Sequence, residues 1–182
     1  MGMQEQMVGY FAAEKAESWL FILAGVVAVG VAVWLLVTGH SYRGMAYPLI
    51  AVGLIQLVVG GTVAFRTDAQ VAALTQQLAT SPSAFQRAEV PRMEAVMRNF
   101  EIYKLVEVGL LLVGVGLAYA FRRKELLYGV GVGLVMQASL MLVLDLFAEK
   151  RGDDYLAAVR ALPTVSEPAP AGAALTAEES PR

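Results

Sequence analysis

The 182-residue chain contains no cysteine. Disulfides, thiolate chemistry and cysteine-held metals are thereby excluded together. Histidine is limited to His40, so the paired Glu-x-x-His motifs of carboxylate di-iron bundles cannot be assembled; His40 itself reads as a plain loop residue. Charge is scarce. Asp, Glu, Lys and Arg make up 16% of residues, against about 25% in soluble domains. The net charge of −2 gives no electrostatic basis for binding nucleic acid. No nucleophile–base pair, phosphate-binding loop or cofactor fingerprint occurs, so the expectation is a protein that is not an enzyme and carries no cofactor.

What is abundant is apolar sequence: 57% of residues are hydrophobic and mean hydropathy is +0.57. Four stretches, 19–38, 45–65, 102–121 and 126–147, approach the roughly 20 residues that cross a bilayer. The first two contain no charged residue, and the fourth contains only Asp145. The first is not a cleavable signal, because its flank "QEQMVGYFAAEKAES" carries three Glu and one Lys where a positive region belongs.

The helices outrun these spans. With Pro91 in a first turn, the run from 91 to 121 meets no further proline and extends about 46 Å at 1.5 Å per residue. A hydrocarbon core measures about 30 Å. Extensions are expected at about 5–18, 66–80, 91–101 and 148–162, with Gly152 a candidate kink or stop in the last. Four crossings place all of them, with both termini, on one face. Tight turns at 39–44 and 122–125 occupy the other. The expected fold is all-α: a polytopic membrane protein, an antiparallel four-helix bundle over 1–162 with helices extending past the bilayer on one side. The stretch "TSPSAFQRAEVP" (80–91) reads as a connecting loop, and 163–182, rich in Pro, Ala and Glu, as a disordered tail. Phe11, Lys15 and Gly25 recur as Phe100, Lys104 and Gly114, a weak sign of two related hairpins.

Asp145 is the residue that asks for an explanation. An aspartate at the centre of an inserted helix costs about 2.5–3.5 kcal/mol, and intramembrane carboxylates are functional candidates by default. Glu107 is its counterpart one helix earlier. Glu14, Lys15, Glu17, Arg66, Glu101, Lys104 and Glu149 lie at similar depth, so every helix brings charge to one layer. The structural reading is a set of salt bridges that register the bundle; the sharper one is a proton or cation relay, or an oxygen nest for a divalent ion. Deeper in the spans, Gln56 and Gln137 lie on inward stripes with Gly53, Gly60 and Ala64, and with Gly129, Gly133, Met141 and Asp145, the pattern of close helix packing in lipid.

These readings converge on a small integral membrane protein with a non-catalytic structural, accessory or partner-binding role. The competing reading is a small transporter or ion- or proton-handling protein that uses the Glu107/Asp145 layer. The expected partners are the lipid bilayer and a protein on the extended-helix side, and the glycine-rich faces are compatible with a homo-oligomer. The expected place is the cell membrane, multi-pass, with both termini on one side. Counting Lys and Arg favours the cytoplasm for that side, although the density of "RRK" at 122–124 argues the other way.

Overall fold

A computed structural model describes residues 2–39 and 41–163. His40 and residues 164–182 of the expected tail lie outside the described residues. The chain forms four long helices: α1 (Met3–Thr38), α2 (Ala46–Thr80), α3 (Pro82–Ala120) and α4 (Glu125–Arg160). A short 3₁₀ turn, Arg43–Met45, leads into α2. There is no strand among the described residues. Each helix is long and apolar enough to cross a membrane. At 1.5 Å per residue they measure about 52–59 Å, well beyond the apolar stretch in each.

The helix ends follow local chemistry. Gly39 stops α1 in the left-handed region at φ 63°, a conformation that costs glycine nothing. Ser81 alone separates α2 from α3, and Pro82 then occupies the start of α3, where its missing N–H is no loss. Gly152 neither ends nor interrupts α4. It is buried, and a Cβ there would lie 2.8 Å from the Met97 sulfur.

The segment 80–91 corrects the sequence reading. It is not a loop: α3 begins at Pro82, and Pro91 lies inside the helix rather than in its first turn. An internal proline removes one backbone hydrogen bond and costs about 3 kcal/mol. Tertiary contacts of the segment offset that cost. Phe85 is fully buried, and the Gln86 side-chain amide donates to the carbonyls of Val159, Arg160 and Leu162 at 3.0–3.2 Å, capping the end of α4. Sequence propensity alone could not reveal that partner surface.

Packing is closest within two pairs, α1 on α2 and α3 on α4. Contacts in each pair run in opposite order along the chain: Lys15 meets Asp68 and Gly25 meets Gly53, while Lys104 meets Glu149 and Gly114 meets Gly131. Each pair thus repeats one device, a lysine–acid tie and, ten residues further along the first helix, a glycine crossing. At Gly131 a Cβ would stand 2.6 Å from the Ala118 backbone nitrogen, so only glycine permits that approach.

Two cores result. At the extended end Met7, Phe11, Phe85, Met93, Tyr155, Leu156 and Val159 form a large-residue core drawn from α1, α3 and α4, with Val71, Leu74 and Leu78 of α2 against it. Along the apolar lengths the core is Ala28, Ala32, Leu35, Ala46 and Leu49, mostly small residues. There the large side chains turn outward: Leu23, Val58, Leu105 and Leu112 are each at least 60% exposed. Outward apolar surface on this scale is unlike that of a soluble monomer.

Candidate functional site

Charged side chains from all four helices meet at the junction between the small-residue core and the large-residue core. Lys15 on α1 holds both carboxylate oxygens of Asp68 on α2 at 2.7 Å. Arg66 on α2 stands 3.6 Å from Glu14 on α1. Lys104 on α3 donates to Glu149 on α4 at 2.5 Å, and Arg151 on α4 donates to Glu17 on α1. Further out, Arg160 on α4 pairs with Glu94 on α3 at 2.6 Å. Glu101 is exposed and enters none of these pairs. Burial pushes the Glu14 and Glu17 carboxyls up from the ordinary range, opposed by Arg66 and Arg151 respectively.

Glu107 and Asp145 sit inside this ring and differ from it. Glu107 is 3% exposed and Asp145 7%, and the two carboxyls stand side by side between α3 and α4. Apart from the Asp145 carboxyl beside it, neither oxygen of Glu107 meets a hydrogen-bond partner. The surrounding cations are already committed, Lys104 to Glu149 and Arg151 to Glu17. A buried carboxylate without a compensating partner is costly. Among the described residues no group of three or more His, Asp or Glu has the geometry to hold a metal ion.

Two helical turns deeper, Gln56 on α2 donates to Gln137 on α4 at 3.2 Å, both buried. The Gln56 side-chain oxygen has no partner. Gly53, Gly60 and Ala64 on the same face of α2, and Gly129 and Gly133 on α4, are buried with them.

One polar cluster is absent from the sequence reading. Glu89 on α3, 1% exposed, accepts from Arg92 Nε at 2.7 Å and from its terminal nitrogen at 2.6 Å, and from the Tyr155 hydroxyl at 2.9 Å. Tyr155 stacks on Tyr10 with ring centroids 4.5 Å apart, and the Arg92 guanidinium lies 5.6 Å from the centre of the Phe11 ring. Burial raises the Tyr155 phenol well above its ordinary range, and the Glu89 carboxylate beside it adds to the rise. Burial does the same to Tyr10, with Glu14 contributing. The available signal is the Glu89/Arg92 spacing of three, but it falls in the stretch that reads locally as a loop.

Fold and site define an all-helical protein with four helices of membrane-crossing length and a buried polar layer at one end of their apolar portions. Comparison with protein families, with curated proteins and with solved structures finds no match.

Proposed function

We propose that the chain is a multi-pass protein of the cell membrane, an antiparallel four-helix bundle whose helices run past the bilayer on one side, and that it acts without catalysis as a structural, accessory or partner-binding component. The observation that carries this reading is where its charges go. Five ion pairs, Lys15–Asp68, Arg66–Glu14, Lys104–Glu149, Arg151–Glu17 and Arg160–Glu94, each join two different helices. Lys104–Glu149 and Arg151–Glu17 are partly buried, and pairs of that kind fix register more than they add stability; the other three are more exposed and add little. The outward apolar surface of the helices supports lipid as their surroundings. The head formed by the extensions, closed around its own core, supports a protein partner on that side. The count of Lys and Arg there favours the cytoplasm.

Glu107 favours a second reading. A carboxyl pair at the edge of lipid, with no free cation beside it, can hold and release a proton or a small cation, as a transporter would require. Proteoliposomes carrying an imposed proton, sodium or potassium gradient separate the two. The structural reading predicts flux no greater than in empty vesicles. It also predicts that Glu107→Leu/Asp145→Leu folds with unchanged or higher thermal stability, since replacing a buried polar group by an apolar one of similar shape is near neutral or stabilising. Flux in the native protein that Asp145→Asn abolishes contradicts it and supports ion handling.

A further inference from the structure

At the end of the helices opposite the head, two hollows meet at one side chain. The first, about 380 Å³, is an almost wholly apolar groove between α3 and α4, walled by Val115, Ala118, Val132, Val135 and Met136. The second, about 390 Å³, lies beyond it and is lined by Ser41, Tyr42, Glu125 and Tyr128. Arg122 lines both. Its Nε donates to the Tyr119 carbonyl at 3.2 Å, and its guanidinium lies 4.7 Å from the centre of the Tyr119 ring, which holds it at the junction. The Tyr42 and Tyr128 rings stand 6.3 Å apart.

The charges here differ from the five pairs that join helices at the other end. Arg122 and Glu125 line one hollow, yet among the described residues neither takes part in an ion pair. A cation and an anion held in one cavity without neutralising each other complement a ligand that carries both signs. The apolar groove leading away from Arg122 complements a hydrocarbon chain, and tyrosine-rich surroundings are those of a membrane interface.

We propose that this junction binds a phospholipid with a primary-ammonium headgroup, phosphatidylethanolamine. One acyl chain lies in the α3–α4 groove, the phosphate meets Arg122, and the ammonium meets Glu125 beside the Tyr42 and Tyr128 rings. Arginine suits the phosphate because its planar fork matches two oxygens at once. Glu125 suits a primary ammonium, which offers N–H donors to a carboxylate. A choline headgroup offers none, and a glycerol headgroup brings no positive charge. The site is independent of the function assigned to the Glu107 layer, which lies at the other end of the spans.

Native mass spectrometry of delipidated protein in mild detergent tests the proposal, titrating phosphatidylethanolamine, phosphatidylcholine and phosphatidylglycerol separately. The native chain binds the ethanolamine lipid about tenfold tighter than the choline lipid, the scale of one charge-assisted contact. Glu125→Gln, at an exposed position, erases that preference without weakening the glycerol lipid. Arg122→Gln weakens all three, and Arg122→Lys, which keeps the charge but loses the planar fork, weakens them by less; unchanged thermal unfolding of both variants is the check on folding. Val132→Phe, which fills the groove, weakens all three without changing their order. Glycerophosphoethanolamine, a headgroup without chains, fails to compete. Equal binding of the choline and ethanolamine lipids overturns the proposal. So does tighter binding of the glycerol lipid, which would reveal a simple cationic patch built by Arg43, Arg123 and Lys124. Competition by the soluble headgroup as strong as by the lipid overturns it too, since the site would then read a free phosphate ester.

Discussion

At the residue scale, Glu89 shows how much one buried carboxylate can organise. It joins Arg92 on its own helix to Tyr155 on α4, inside the head core. Glu89→Ala leaves the Tyr155 hydroxyl and the Arg92 guanidinium without their acceptor. Breaking a wholly buried pair costs about 3–5 kcal/mol; Arg92 keeps some contact with solvent, so the expected loss is about 2–3 kcal/mol. Chemical unfolding in detergent measures it, and a loss below about 0.5 kcal/mol, the usual limit for a surface change, would show that the network is dispensable. The stacked tyrosines yield a pH prediction. Their folded values are raised, so the stability they contribute is fully present below the ordinary phenol value of 10.0 and is lost as pH climbs through the raised values. In an alkaline titration followed by phenolate absorbance, Tyr10→Phe and Tyr155→Phe should each remove one late-titrating group. Removal of an early-titrating group instead would contradict their burial.

At the scale of the element, glycine separates helix faces that must touch from faces that need not. On the α3–α4 pair, Gly131→Ala forces a methyl into the Ala118 backbone and should cost about 1–3 kcal/mol. At Gly116 the same methyl would enter open space, and Gly116→Ala should be neutral or stabilising by up to about 1 kcal/mol through helix propensity. Thermal unfolding of the two variants side by side checks the contrast; equal effects would mean the helices do not cross at Gly131. Pro91→Ala tests the continuity of α3. It restores a backbone donor inside a helix and should raise stability by about 1–3 kcal/mol, whereas a loop proline would give no gain or a loss. The four helices were legible because runs of about 20 apolar residues have few alternatives. The inward faces of α2 and α4 were legible too, since Gly53, Gln56, Gly60 and Ala64 recur at helical spacing. The start of α3 was not. Two prolines and two serines spell a turn locally, and only the tertiary surface offered by α4 to Phe85 and Gln86 makes that stretch helical. For the same reason Glu89 escaped notice, while Glu107 and Asp145 stood out against an apolar background.

At the scale of the whole molecule, the charges divide by end. Near the head, Lys15, Arg66, Lys104, Arg151 and Arg160 are joined to acids across helices, while Arg87, Arg98 and Lys150 are not; at the turns, none of Arg43, Arg122 and Arg123 enters an ion pair among the described residues. That division follows if water and lipid headgroups meet the two ends differently, a folded head at one and bare turns at the other. The absence of native cysteine makes the arrangement directly measurable. Single cysteines placed at Asp68, Ser83 and Asp153 on the head side, and at Arg43 and Arg123 in the turns, can be labelled in sealed, oriented vesicles with a membrane-impermeant maleimide. The account predicts that the first three react from one side of the membrane and the last two only from the other. Labelling of both groups from the same side would contradict it.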